Sequence, residues 1–180
     1  SNTVSSFFST KFQRNIEELL VSPTPNWVMV LGYISGGMTR GICVGMLVSL
    51  VSLFFVRLPL FNIPCIFLFA LLTSFVFSLA GMINGIFAKK FDDISIMPTF
   101  VITPLTYLGG VFYSISLLPE FWQTLSRANP VVYMIGGFRY GFLGISDINV
   151  WVGLVMLVLF SVVLFSITLY LLKKGTGVRA

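Results

Sequence analysis

The sequence predicts an all-α polytopic membrane protein, and three observations support this fold class. Of the 180 residues, 57% are hydrophobic and only 9% are charged, whereas a soluble domain normally carries about a quarter charged residues. Several apolar blocks are long enough to cross a bilayer core about 30 Å thick, which takes about 20 residues of helix. A short amphipathic stretch precedes the first block. The four blocks, each predicted to be a full transmembrane helix, cover residues 27–56, 62–88, 94–118 and 150–172.

The first block is longer than one crossing needs, because a helix rises about 1.5 Å per residue. We therefore place the crossing at residues 38–56 and treat 27–37 as an interfacial lead-in. This puts Arg40 at the membrane edge, where its side chain can reach the headgroups. A deeper position would cost about 2.5–3.5 kcal/mol on insertion scales.

The third block contains Pro98, Pro104 and the pair Gly109–Gly110. A helix with these residues is expected to kink or break, and the carbonyls that this frees need partners within the protein. Asp92 and Asp93 precede the block and are predicted to cap its helix, since carboxylates favour the positive end of a helix dipole.

Residues 119–149 separate the last two blocks and hold no apolar run long enough to cross. They are predicted to form an external pair of short re-entrant or interfacial helices. Aromatic side chains are expected there at headgroup depth. These are Phe121 and Trp122 in the first helix and Tyr133, Phe138 and Tyr140 in the second.

The stretch 11–25, KFQRNIEELLVSPTP, is predicted to be a short amphipathic helix that ends at its prolines, and residues 1–10 resemble the end of a preceding span. Such a helix can lie on the lipid surface or present its polar face to a soluble partner. Basic and acidic residues are balanced on it, whereas lipid-surface helices are usually rich in Lys and Arg. This favours a protein partner. The apolar stripe consists of Phe12, Ile16, Leu19 and Leu20.

The basic residues predict an orientation, because they accumulate on the cytosolic side of bacterial spans. With the amphipathic helix in the cytosol, seven basic residues share that side and three lie outside. The seven are Lys11, Arg14, Lys89, Lys90, Lys173, Lys174 and Arg179, and the three are Arg57, Arg127 and Arg139.

Small residues recur at the spacing that allows close helix packing in lipid. Whether these faces pack within one chain or against a second copy stays open at this stage. The residues are Gly32, Gly36, Gly37, Gly41 and Gly45 in the first block, and Gly81 and Gly85 in the second.

Catalytic chemistry finds little support in the sequence. It has no GxxxxGK phosphate-binding loop, no histidine, no GxSxG motif, and only two cysteines, both in apolar blocks. A metal site of Cys and His is therefore not expected, and the scattered basic residues form no nucleic-acid patch. All six acidic residues fall outside the crossings, which argues against a proton- or sodium-coupled transporter. By elimination, the sequence favours a transport subunit driven by a separate ATPase.

Two segments carry a family resemblance: RNIEELLVSP, and the run from FAKKFDDISIMPTF through LGGVFYSISLLPEFW to ANPVVYMIGGFRYGFLG. They resemble the permease subunits of type-2 ABC exporters, bacterial inner-membrane proteins of the nodulation-factor and drug exporter kind. The resemblance covers essentially the whole chain, and its most specific part is residues 104–144.

The resemblance implies a multi-pass subunit of six spans, of which this chain holds the end of the second and spans three to six. It implies no cofactor bound by the chain itself, ATP and Mg being used by the partner. It implies two copies of an ABC ATPase and a homodimer of permeases in the lipid bilayer. It also makes the amphipathic segment a cytosolic coupling helix that contacts the ATPase through Arg14, Asn15, Ile16, Glu17, Glu18, Leu19 and Leu20.

Two departures from the family pattern stand out. Arg14–Asn15 replaces a common Gly-Thr before the acidic pair, and Tyr113 replaces the proline that commonly follows Phe112. Aromatic residues near the broken helices are predicted to line a substrate path, against the alternative that they only pack or anchor: Tyr107, Phe112, Tyr113 and Tyr133. The rival to an exporter permease is a membrane scaffold whose amphipathic helix binds lipid or a cytosolic protein.

Overall fold

The computed structural model describes residues 2–13, 24–56, 59–90, 92–111 and 119–175, and within these ranges it contains helices and no strands. We number the α-helices in chain order. They are α1 (Asn2–Phe12), α2 (Asn26–Phe55), α3 (Ile63–Phe87), α4 (Asp93–Met97), α5 (Thr103–Leu108), α6 (Glu120–Arg127), α7 (Pro130–Leu143) and α8 (Val150–Lys174).

Three of these helices, α2, α3 and α8, are long and apolar enough to cross a membrane. Their bounds agree with three of the four predicted blocks to within two residues, because local signals fix the ends. The side chains of Asn62 and Asn149 cap α3 and α8 by accepting from the N–H groups of Cys65 (3.1 Å) and Trp151 (2.9 Å). Gly175 ends α8 with a φ of 69°.

The fourth predicted block is not one continuous helix in the described residues. It consists of α4, a π-helical turn at Pro98–Ile102, and α5, which ends before Gly109. We call Asp93–Leu108 the broken helix. The prolines coincide with a change of helix type: the N–H of Thr103 bonds to the carbonyl of Pro98, five residues back, and the backbone stays helical on both sides.

Helix α3 is the centre of the bundle and packs against α1, α2, α7 and α8. One apolar cluster joins Phe7, Val30, Ile86 and Leu172, so the C-termini of α1, α3 and α8 and the N-terminus of α2 share one end of the bundle. We call this the basic end. It groups Lys11, Lys89, Lys90, Lys173 and Lys174, which the count of basic residues predicted to share one side. Which side of the membrane it faces stays a prediction.

The predicted helical pair within 119–149 is present as α6 and α7. Helix α7 is not a surface element, because Val132, Tyr133 and Met134 are buried between α3 and α8. The side-chain hydroxyl of Tyr133 donates to the carbonyl of Arg127 at 2.6 Å, which ties the two helices together.

The small-residue faces pack partly within this chain. A Cβ added to Gly81 would lie 3.0 Å from Val4, and one added to Gly85 would lie 3.1 Å from Phe7, so α1 lies directly on the small face of α3. In contrast, a Cβ at Gly32, Gly36 or Gly45 would meet nothing within 4 Å. Both halves of α2 therefore have an uncovered surface in the described residues.

Gly137 of α7 is expected to tolerate no side chain. A Cβ there would collide with the ring of Phe69, which is fully buried in α3. We expect Gly137→Ala to lower the free energy of unfolding by about 1–3 kcal/mol, because the packed ring has no room to move. Gly45→Ala is the matched control and should be neutral or slightly stabilising. Thermal unfolding in detergent compares them, and equal midpoints would contradict the packing at Gly137.

Candidate functional site

The predicted coupling helix falls largely outside the described residues, since its contact residues Arg14 to Leu20 all lie in the segment 14–23. The structure describes the residues on either side of that segment. Lys11 and Phe12, predicted to start the coupling helix, form the last turn of α1. Pro25 is the N-cap of α2, with extended backbone geometry.

Lys11 joins α1 to the end of α3. Its Nζ donates to the carbonyl oxygens of Ile86 and Ala88, both at 2.8 Å. The last carbonyls of a helix have no partners within it and carry the negative end of its dipole, so an ammonium is favourable there. Burial, together with the positive charge of Lys89, lowers the pKa of Lys11.

Asn84 joins α3 to the broken helix. Proline at position 98 has no N–H to offer the carbonyl of Ile94 four residues earlier, and that carbonyl would otherwise lack a partner. The Nδ2 of Asn84 donates to it at 3.1 Å. Val4, Phe8, Ala88 and Ile94 form an apolar cluster beside this contact. Together with the Lys11 contacts, this cluster makes a three-helix junction, which we call the basic-end junction.

Asp92 is the N-cap residue of α4 and Asp93 lies in its first turn, as predicted, but neither side chain forms a capping bond to that helix. Asp92 makes no side-chain capping bond, and the Asp93 carboxylate accepts from the N–H groups of Lys89 (2.8 Å) and Lys90 (2.9 Å) in the preceding turn. The short turn after α3 leaves these N–H groups without helical partners. They donate to the nearest carboxylate instead, and these two hydrogen bonds hold the pKa of Asp93 below its ordinary value.

At the other end of the broken helix, two polar side chains of the α7 region hold its carbonyls. The N–H of Gly109 bonds to Thr106, which leaves the carbonyl of Leu105 free for the Nδ2 of Asn129 at 2.6 Å. Arg139 donates to the carbonyl of Gly110 at 3.1 Å. It also forms an ion pair with Asp147 at 2.8 Å. The prediction that the freed carbonyls need partners within the protein is confirmed here.

The predicted substrate-path residues lie in different environments. Tyr107 is 58% exposed on α5, whereas Tyr133 is 7% exposed and packs in the core. Phe112 and Tyr113 fall outside the described residues. Burial of Tyr133 favours a packing role for that residue, and the path itself stays a prediction.

Comparison with known proteins decides the family. The model of the ABC-2 type transporter family matches residues 1–143. The chain belongs to this family. It is 56% identical over 180 residues to the "Inner membrane transport permease YadH" of Escherichia coli K12, covering all of this chain and 70% of that relative. It is 27% identical over 172 residues to "Nodulation protein J" of Sinorhizobium fredii, covering 93% of this chain and 64% of that relative. No solved structure matches it.

This ABC-2 protein is thus a multi-pass inner-membrane transport permease. The YadH relative is named a transport permease.

Sequence reasoning missed the neighbours of Arg40 in this ABC-2 permease. Gly37 and Gly41, on either side of it, pack against Ser78 and Ser74, so Arg40 lies level with the middle of α3. Its depth in the membrane stays a prediction, and a position at the centre would cost about 2.5–3.5 kcal/mol. A signal was present: Ser35 and Thr39 lie near Arg40 in α2, and three hydroxyl residues lie close together in α3, namely Thr73, Ser74 and Ser78.

Proposed function

We propose that this chain is the membrane-spanning permease subunit of an ATP-driven ABC exporter. It moves an amphipathic, lipid-linked or polysaccharide-type substrate out of the cytosol or the inner leaflet, and a separate ATPase subunit hydrolyses ATP with Mg as its cofactor. In this proposal the basic end faces the cytosol, and the segment with Glu17 and Glu18 contacts the ATPase.

The observation that carries the proposal is the basic-end junction. The segment proposed to receive the ATPase follows α1 directly, and Lys11 at the end of α1 grips the carbonyls of Ile86 and Ala88. Asn84 continues the connection to the broken helix. A displacement of that segment can therefore be transmitted through these polar contacts to α3 and to the broken helix. The π-helical turn of the broken helix is suited to a change of conformation.

A homodimer is part of the same proposal. The broken helix packs only lightly on the rest of the described residues, through α1, α3 and α7. Ile96, Phe100 and Tyr107 expose more than half of their surface. A second permease copy is the occupant that the family resemblance implies for such an apolar face, and the substrate would pass between the two copies.

Charge reversal at the proposed contact tests the function. We expect the double variant Glu17→Lys, Glu18→Lys of the full-length protein to lose its associated ATPase and the vanadate-sensitive ATP hydrolysis of the purified complex. Loss of two favourable charge contacts and their replacement by repulsion should weaken binding by roughly tenfold or more. The matched control is Glu120→Lys, an exposed acid on α6.

Both variants should insert into the membrane at wild-type levels. If the double variant keeps full turnover, the proposed contact at Glu17 and Glu18 fails. If the wild-type protein recruits no ATPase, the exporter proposal fails. The scaffold reading would then explain the amphipathic segment better.

A further inference from the structure

A single side chain, that of Arg139, joins three segments of the chain. Its Nη1 donates to the Oδ2 of Asp147 at 2.8 Å, and its Nη2 donates to the carbonyl of Gly110 at 3.1 Å. Arg139 belongs to α7, Asp147 to the link between α7 and α8, and Gly110 to the residues that follow the broken helix. We call these three residues the Arg139 cluster.

The Arg139 cluster lies at the end of the bundle opposite the basic end. Neighbouring glycines of α7, Gly137 and Gly141, pack against Phe69 and Ile66. Both of these residues lie in the first two turns of α3. The basic end is formed by the last turns of α3, so the cluster is at the other end.

The backbone at Gly109 and Gly110 lies directly on α7. A Cβ added to Gly109 would lie 2.9 Å from Val131 and 3.1 Å from Ile135. Gly110 has a φ of 76°, the left-handed conformation in which glycine commonly ends a helix. Both glycines are buried, and neither has a side chain that could hold it in place. Their position on α7 therefore depends on the groups that cover and bond them, and Arg139 bonds to Gly110 directly.

Two side chains attach this end of the broken helix to the α7 region, and they differ in burial. Asn129 is 5% exposed, and its bond to the carbonyl of Leu105 is 2.6 Å long. Breaking that bond would leave a buried amide without a partner, which is costly. The side chains of Arg139 and Asp147 are 26% and 33% exposed. Water and ions can replace their contacts, because exposed ion pairs are weak and are screened by salt. The bond at Leu105 is therefore expected to persist when the contacts of Arg139 break.

The broken helix has an irregular turn between its attachments. Asn84 of α3 holds the carbonyl of Ile94 near one end, and Asn129 holds that of Leu105 near the other. The π-helical turn Pro98–Ile102 lies between these two points. Turns of this type are frequent at functional sites. A change of conformation in the turn would move the residues beyond Leu105 relative to α7.

We propose that the Arg139 cluster is a latch. When Arg139 bonds to Gly110 and Asp147, the end of the broken helix is closed onto α7. When these contacts break, residues 106–110 move away from α7 about the bond between Asn129 and Leu105. The role of this movement rests on the proposed export function: the substrate would leave at the end opposite the basic end, and the latch would open to release it.

Hydrogen–deuterium exchange of the full-length protein in nanodiscs tests the latch, because it reports local opening of the backbone. Peptides that cover residues 105–111 are compared at low salt and at about 1 M sodium chloride. In the wild type, we expect exchange in these peptides to rise about threefold at high salt, since ions screen the ion pair. Arg139→Gln should raise exchange about tenfold at low salt and should remove its salt dependence. Asp147→Asn keeps the bond to Gly110 and should give an intermediate rise.

Arg127→Gln is the matched control, since Arg127 is an exposed arginine on the neighbouring helix α6. It should leave exchange in these peptides unchanged. Equal exchange in the wild type and Arg139→Gln would overturn the latch. So would a loss of protection throughout α7 and α8 in that variant, which would show that Arg139 stabilises the whole fold. The salt dependence of the wild type needs no variant, so exchange that does not change with salt would overturn the proposal even if Arg139→Gln fails to fold.

This test needs no ATPase, so it is separate from the test of the proposed function. A second arm uses the complex with the ATPase, in which ATP or ATP with vanadate should raise exchange of the 105–111 peptides above the nucleotide-free level. Salt-dependent exchange without any ATPase recruitment would keep the latch and remove the exporter. Normal ATPase turnover with unchanged exchange in these peptides would keep the exporter and overturn the role of the latch in release.

Discussion

Lys11→Met is expected to uncouple ATP hydrolysis from transport in the complex proposed above. The side chain contributes two charge-assisted hydrogen bonds to the end of α3, at 2.8 Å each, and methionine keeps the apolar stem but loses both. For this half-buried group, the loss should lower the free energy of unfolding by about 1.5–3 kcal/mol. The ATPase contact lies on the following segment, so recruitment should be normal while substrate transported per ATP falls several-fold.

The measurement is the ratio of substrate export to ATP hydrolysis in proteoliposomes. Lys11→Arg keeps the charge and the donors and should restore most of the ratio, whereas a purely structural loss would lower export and hydrolysis together. Lys174→Met removes an exposed charge at the same end and serves as the control. An unchanged ratio of export to hydrolysis in Lys11→Met would show that the basic-end junction does not couple the ATPase to the spans.

The three continuous spans could be predicted from the sequence because their signals are local. Unbroken apolar runs predict α2, α3 and α8, and Asn62, Asn149 and Gly175 set helix ends through contacts within four residues. The break in the fourth block was also predictable, since the effect of proline on a helix does not depend on tertiary context. Its π-helical form was not, because several local geometries satisfy the same missing N–H.

The contacts that define the candidate sites are long-range and left no comparable signal. Lys11 meets Ile86 and Ala88 across more than seventy residues of sequence. Similarly, α2 approaches Ser78 and Ser74 of α3 closely because Gly37 and Gly41 have no side chains. The small-residue spacing indicated a close approach but could not name the partner helix. Arg40 was therefore placed by its insertion cost alone.

The largest stability loss is expected for Asn129→Leu. Asn129 is 5% exposed and acts on two elements at once. Its Oδ1 accepts from the N–H of Val131 at 2.9 Å, which caps α7, and its Nδ2 donates to the freed carbonyl of Leu105 at 2.6 Å. Leucine has a similar volume but satisfies neither group. Loss of a helix cap and a buried carbonyl left without a donor should together lower the free energy of unfolding by about 2–5 kcal/mol.

Asn149→Leu separates the two contributions, because Asn149 caps α8 through the same type of bond, to the N–H of Trp151 at 2.9 Å, from an exposed position. It should lose only the cap, about 0.5–2 kcal/mol. Asn129→Asp keeps the acceptor for Val131 and turns a carboxylate oxygen towards the carbonyl of Leu105, so it should be nearly as damaging as leucine. Thermal unfolding in detergent ranks the three variants. Equal losses of unfolding free energy for Asn129→Leu and Asn149→Leu would mean that the bond to Leu105 does not stabilise the broken helix.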